Sequence, residues 1–346
     1  MNISSSKIAF FVFNKLRKWV DHHRNKLRQH KNIVALDMIR TVNVCPACKG
    51  GRVFHLADIP YSETFLNKWN GSVSDLYKIV HRDFLHQCFP YEFCEECLFS
   101  FQSATKKGFA EMIENNSLVN ERVLSSYEKQ TQVTVNLELI QHILSENENL
   151  STIEGHYKWL INEMKPFISP ASKILDLGCN RGTFAEVMRK IYLDSEVWGC
   201  EINQTYAAAC RSRYPNLNLI EEPLSENKKH GSFDLIFCSD VIEHIWDLDG
   251  FIKSIKNNLN PSGKIMFVTP NLMCATAVRG GINWWGYMPP HHTQLFSAKS
   301  LSKLLARHGF KQKQTSAFGD EFASVFQLDQ VNLDKPSINF SETKSI

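Results

Sequence analysis

No apolar run in the 346-residue sequence approaches the roughly 18 residues that a helix needs to cross a bilayer. The strongest candidate, Ile8–Phe13, has no small-residue cleavage site after it. A membrane-spanning segment and a secretory leader are therefore not expected, and the protein is expected in the cytosol. Excess charge of one sign is missing too: 39 Lys and Arg against 36 Asp and Glu leave a net charge of +3, too little to imply a nucleic-acid partner. The charge is nevertheless uneven, because residues 1–40 carry nine Lys or Arg and two Asp. Within them Ile8, Phe11, Val12, Leu16 and Val20 interleave with Lys15, Arg17 and Lys18, the pattern of a basic amphipathic helix. Such a helix either rests on an anionic membrane as a peripheral contact or docks on the protein's own body with its basic face in water.

Hydrophobic residues make up 43% of the chain, which allows a full core and one large domain beside a smaller one. Cysteine is plentiful, with 10 residues, and in the cytosol cysteines serve metals more often than disulfides. Two C-x-x-C knuckles stand out, Cys45 with Cys48 in "CPACKGG" and Cys94 with Cys97 in "CEEC". Together they can present four thiolates to one tetrahedral zinc ion, a closed site that folds a lobe and leaves no open position for chemistry. The 45 residues between the pairs imply an insertion, within which His81, His86 and Cys88 are competing ligands.

From Lys173 onward the chain alternates strands and helices, the signature of a doubly wound, mostly parallel α/β sheet that binds ligands at the carboxyl ends of its strands. The first strand and its turn are "KILDLGCNRGTFAEV", Lys173–Val187. Ile174, Leu175 and Leu177 read as a buried strand, and Gly178 and Gly182 mark a tight turn or a close backbone approach. The glycine spacing is G-x-x-x-G, so the G-x-G-x-x-G fingerprint of nicotinamide enzymes fails.

In "LDLGCNRG", with "FDLIFCSDVIEHI" and "LNPSGKIMFVTPN" following in order, the sequence resembles the class I S-adenosylmethionine-dependent methyltransferases over Ile161 to about Gly319. The resemblance implies a Rossmann-like fold and S-adenosyl-L-methionine as cofactor. It places Asp176, Gly178, Cys179, Asn180 and Gly182 around the methionyl part, Asn180 standing where glycine is usual. It places Glu201 on the ribose hydroxyls with Ile202 beside it, Leu224 against adenine and Ser239 at the sulfonium. The N/D-P-P-Y/F tetrad of adenine N-methylating enzymes is absent, "SDVI" holding its place.

His292, opening the H-x-x-x-F segment of "PPHHTQLFSAKSL", matches the histidine that faces the acceptor in methyltransferases of hydroxyls or sugar carbons, and is read as general base or as a buried structural histidine. Glu243 and His244 are its candidate catalytic partners or rim packing. Were "DVIEH" helical, Asp240, Glu243 and His244 would share a face and, with His292, would resemble the divalent-metal site of RNA 2′-O-methyltransferases. The cysteine lobe joined to such a core is similar to bacterial methyltransferases of deoxysugars and surface glycans. It implies a sugar hydroxyl or carbon in a nucleotide-linked or lipid-linked precursor as acceptor. A small aromatic or quinone precursor and RNA are the alternatives. The expected divisions are an amphipathic helix over 1–40, a zinc lobe over 41–104, a helical connector over 105–160, the catalytic domain over 161–320 and a tail over 321–346.

Overall fold

The computed structural model describes residues 38–40, 44–60, 88–106, 135–145, 152–289 and 291–329. The basic N-terminal pattern, His81, His86 and most of the expected connector lie outside them.

Strands come first: β1 (Met38–Arg40), β2 (Val53–Pro60), β3 (Cys88–Cys94), β4 (Phe99–Gln102) and β5 (Ala104–Lys106). β1 pairs with β5, while β2, β3 and β4 form an antiparallel meander. All four residues of β4 are buried, so this small sheet is covered on both faces. Alternation along the strands decides what covers each face. Phe99 and Phe101 enter the core of the larger domain, whereas Phe89, Tyr91 and Phe93 pack with Trp284, Tyr287 and Leu295.

The larger domain begins with α1 (Leu137–Leu144) and α2 (Thr152–Met164), which ends where Pro166 breaks the pattern into a short 3₁₀ turn. Then come β6 (Lys173–Leu177), α3 (Thr183–Ile191), β7 (Glu196–Cys200), α4 (Gln204–Arg213), β8 (Asn218–Ile220), β9 (Phe233–Ser239), α5 (Leu248–Asn258) and β10 (Leu259–Pro270). A short α6 (Ala275–Gly280), β11 (Gln294–Leu295), α7 (Ala298–Arg307), β12 (Phe310–Phe318) and β13 (Glu321–Leu328) complete it. Capping residues set the starts of helices: Asn203 accepts two amides at α4, and Ser297 with Ser300 forms a capping box at α7.

The seven-stranded sheet runs β12-β13-β10-β9-β6-β7-β8, parallel from β10 to β8 and antiparallel at the β12–β13 end. The expected doubly wound sheet is present. The order reverses between β6 and β9, which opens a crevice at their carboxyl ends. One of the expected boundaries differs. Residues 321–328 are not tail but a strand paired with β10 on one edge and β12 on the other, and Phe322–Phe326 are buried because core clusters cover both faces. The small cysteine lobe is present, and β11 joins it to the rest of the chain by adding to its sheet beside β4. Among the described residues no helix is long and apolar enough to cross a membrane.

Candidate active site

The turn after β6 is shaped by backbone strain that only certain residues bear. Gly178, Asn180 and Gly182 all have positive φ, at 85°, 52° and 76°. A Cβ on Gly178 would lie 2.3 Å from Val241, so the turn packs against the β9 loop at a distance only glycine permits. Asn180 is the non-glycine residue type that tolerates this region best. Glu201, at the end of β7, is buried, and its two oxygens accept the amides of Asn180 (2.9 Å) and Asn203 (2.7 Å). The acid is thereby fixed against the turn. Asp176 is buried beneath it, and burial first, then the Glu201 carboxylate, pushes its pKa up to about 7 against the Ala185 amide. Two acids in one pocket suit a ligand that brings an ammonium and hydroxyls. Ile202, 44% exposed, offers an apolar face next to Glu201. Cys179 contributes only backbone, because its side chain is buried and lies where a Cβ of Gly199 would go. Leu224 lines a depression with Phe251 and Ser254, and Ser239 closes β9 with its hydroxyl on Asp240 at 3.2 Å.

Past β9 the chain makes a 3₁₀ turn, Ile242–His244, in place of the α-helix that would have aligned the acids. Asp240, at φ 52°, precedes it, and the compact group is Glu243, His244 and His292, whose ligand atoms lie within 4.8 Å of one another. Asp240 is not a member, a correction to the four-residue metal set. Glu243 is buried and accepts the Thr269 hydroxyl at 2.9 Å; burial first, then Asp240, raises its pKa well above the carboxylate range. His244 faces the open cleft, His292 is buried, and their rings meet edge to face at 4.9 Å. Each Nδ1 has only a backbone carbonyl as partner, His291 at 3.0 Å for His244 and Gly286 at 2.9 Å for His292. A carbonyl only accepts, so both Nδ1 atoms carry the proton and both Nε2 atoms carry the lone pair. Desolvation lowers the pKa of His244 against the pull of the His291 carbonyl, and burial, then His244, takes His292 down to about 3. Both imidazoles are neutral at physiological pH.

Residues 150–315 match the family model described as a methyltransferase domain. Over these residues, which hold the glycine turn and the strands around it, the chain is similar to a methyltransferase domain. A relative from Mycobacterium tuberculosis (strain ATCC 25618 / H37Rv), named "Probable S-adenosylmethionine-dependent methyltransferase Rv3030", is 31% identical over 142 residues, 40% of this chain and 49% of its own. The ubiquinone biosynthesis O-methyltransferase of Acinetobacter baylyi is 27% identical over 104 residues, 29% of this chain and 44% of its own. The chain therefore spans about half the length of the curated relatives it matches. A crystal structure of a SAM-dependent methyltransferase from Archaeoglobus fulgidus aligns at 18% identity and TM-score 0.41, covering 50% of this chain and 93% of the other.

Against the methyltransferase domain the four knuckle cysteines converge. Cys45 and Cys97 sulfurs are 3.6 Å apart, Cys48 and Cys94 sulfurs 3.7 Å, and all four lie within 4.8 Å of one another without a disulfide. Cys45, then Cys97, hold the Cys94 thiol far below its ordinary range, while Cys45 is pushed up to about 12 and Cys97 higher still, Cys94 and Cys45 respectively being the first cause. Packed thiols compete for one negative charge. A salt-bridged seam docks this knuckle pair: Arg307 donates to the carbonyls of Pro46 and Ala47, and Asp249 takes Lys49, Arg307 and His308.

The segment "NWWGYMPPHH" turns Trp284 inward, and Asp320 accepts the Trp285 indole at 2.7 Å. Gly286 is obligatory, since a Cβ there would meet the Trp284 ring at 2.2 Å. The methyltransferase domain also recruits residues that the sequence reading missed. Glu321 opens β13 at 3.5 Å from His156, its pKa pushed up to about 8 by burial, then by Asp240 and Asp320. The run "FASVFQL" after Gly319 signals a buried strand and could have found it. Thr269 and Tyr91 carry no such local signal.

Proposed function

We propose that the methyltransferase domain transfers a methyl group from S-adenosyl-L-methionine to a sugar hydroxyl or carbon in a nucleotide-linked or surface-glycan precursor. The observation that carries this reading is the placement of two neutral imidazoles, with both lone pairs on Nε2, beside buried Glu243 at the crevice of the cofactor turn. When bound, the cofactor supplies an electrophilic methyl on a sulfonium. Asp176 would hold its ammonium and Glu201 its ribose hydroxyls, while Gly178 and Gly182 admit its backbone contacts. His292 Nε2 accepts the acceptor's proton. A base with a pKa of about 3 suffices for a hydroxyl, because an alcohol oxygen becomes strongly acidic once its new bond to carbon is forming. Glu243, held by Thr269, and His244 orient the acceptor beside it.

Two observations favour variants of this chemistry. The Acinetobacter relative is named for ubiquinone biosynthesis, which supports an aromatic hydroxyl as acceptor. Glu243, His244 and His292 are also a two-histidine, one-carboxylate donor set, with tautomers fixed by carbonyls as in metal sites; a divalent ion there would polarise the acceptor oxygen. A radiolabelled methyl-transfer assay against nucleotide sugars, glycan extracts, quinone precursors and RNA, with and without chelator, tests all three. Labelling confined to quinone precursors or RNA overturns the sugar assignment.

The cysteine cluster is assigned as a structural zinc site on the same footing. Its 3.6 and 3.7 Å sulfur separations match the edges, about 3.8 Å, of a tetrahedron with Zn–S bonds of about 2.3 Å. A dication would also remove the thiols' competition for charge.

Two outcomes follow for the cofactor pocket. Glu201→Ala should weaken S-adenosylmethionine binding by about 2–4 kcal/mol, the worth of two charge-assisted hydrogen bonds; unchanged affinity by calorimetry removes Glu201 from the pocket. Affinity should also depend on pH through Asp176. Its free-state pKa is raised to about 7, and an ammonium pairs only with the ionised form, so binding is tightest above that value. It should weaken by up to about tenfold per unit below it. A flat affinity profile from about pH 5.5 to about pH 8.5 would show that Asp176 does not face the charge.

A further inference from the structure

His292 is held from two sides, and one of them is the cysteine lobe. Tyr91, at the centre of β3 and fully buried, donates its hydroxyl to the His292 carbonyl at 2.6 Å and accepts the Gln102 side-chain amide at 2.9 Å. The Gln102 backbone amide donates to the Thr293 carbonyl at 2.9 Å. Gln294 and Leu295 then pair with Phe101 and Ser100 as β11 joins β4. Two residues on, Ser297 donates its hydroxyl to the carbonyl of Cys97, one of the four thiol residues, at 3.0 Å. From His292 to Ser297 the chain is thus stitched to lobe backbone and lobe side chains at successive points. The ring of His292 is fixed on the other side by Gly286, whose neighbour Tyr287 packs edge-on against Tyr91 at 5.2 Å. Tyr91 therefore touches both supports, the carbonyl of the histidine and the segment whose Gly286 carbonyl anchors its imidazole.

The geometry points to Tyr91 as a positioning residue for methyl transfer, through which the cysteine lobe sets the place of His292 in the crevice. This rests on the assignment of His292 as proton acceptor. It gives the lobe a part in turnover that a closed cysteine site would not by itself suggest. A buried phenol hydroxyl making two hydrogen bonds fixes its partner to within a few tenths of an ångström. Displacing a catalytic group by about 1 Å lowers turnover by about 10²-fold.

The test uses the full chain. Tyr91→Phe keeps the ring and its packing and removes only the hydroxyl, and Gln102→Leu, which strips the second bond from the same hydroxyl, serves if the first variant does not fold. Hydrogen exchange read by mass spectrometry should show residues 286–297 exchanging about tenfold faster, with residues 173–177 of β6 unchanged, since only the stitched segment is released. Unchanged exchange of 286–297 overturns the proposal. With the acceptor found in the labelling panel, Tyr91→Phe should lower kcat by about 10–10²-fold with cofactor affinity within about twofold of wild type. The same substitution should have little further effect in a His292→Ala background, because the two losses are then one loss. Independent, multiplying losses also overturn it. If His292→Ala alone retains normal turnover, the proton-acceptor assignment fails instead, and the exchange result still decides whether Tyr91 places the segment.

Discussion

His292→Ala should lower turnover by about 10²–10⁴-fold while cofactor affinity stays within about twofold. The imidazole lies with Glu243 and His244 after β9, whereas the proposed cofactor pocket, Asp176, the glycine turn and Glu201, lies at the ends of β6 and β7. Removing one should not disturb the other. The pH profile sharpens the expectation. Burial and the neighbouring His244 keep His292 neutral down to about pH 3, so turnover at saturating cofactor should show no fall near about 6.5, where an ordinary histidine titrates. The fall near 7 that Asp176 imposes should appear only in cofactor affinity. Measuring kcat and kcat/KM for the cofactor across this range separates the two groups. Near-normal turnover in the variant, or loss of cofactor binding in proportion, would make His292 a structural residue. Turnover abolished by a chelator with the cysteine lobe still folded would shift its role to metal ligand.

Removing metal from the cysteine cluster should unfold the lobe and take most activity with it. Protein prepared under reducing conditions should carry about one zinc per chain, and structural sites of this type contribute about 10–16 kcal/mol of apparent binding energy to folding. Without the ion, four thiols within 4.8 Å must share a buried space, and nothing offsets that crowding. The consequence should not stop at the lobe. Phe99 and Phe101 belong to the main core, β4 carries β11, and Tyr91 carries His292. Chelation, or Cys94→Ser, should therefore lower turnover before it weakens cofactor binding, the turn and Glu201 being held within the large sheet. Metal analysis finding no zinc would refute the site. Retention of native circular dichroism and full turnover after exhaustive chelation would refute its structural role.

Local rules reach as far as a turn, a knuckle or one strand with its helix, and within that reach the sequence was decisive. Positive φ at Gly178 and Gly182 and its tolerance by Asn180 follow from the residues themselves, as does the alternation that makes a parallel sheet. The two C-x-x-C knuckles needed only to be brought together. Beyond that reach the tertiary structure decided. Asp240 stays close enough to raise the Glu243 pKa but stands outside the donor group of Glu243, His244 and His292, because the segment after β9 closed as a 3₁₀ turn, a choice between two helical geometries that four residues do not encode. Residues 321–328 became a buried strand because β10 and β12 each had an edge to pair, a demand that exists only once the sheet is assembled. β11 is two residues long, too short for any periodicity, and it is placed by pairing with β4 almost two hundred positions earlier. That pairing brings the Tyr91 hydroxyl to the His292 carbonyl across 201 positions. Contacts at such separation are selected by which buried faces and unpaired backbone groups remain to be satisfied. The chemistry of each residue was written in the chain, and the company that His292 keeps was settled by closing the core.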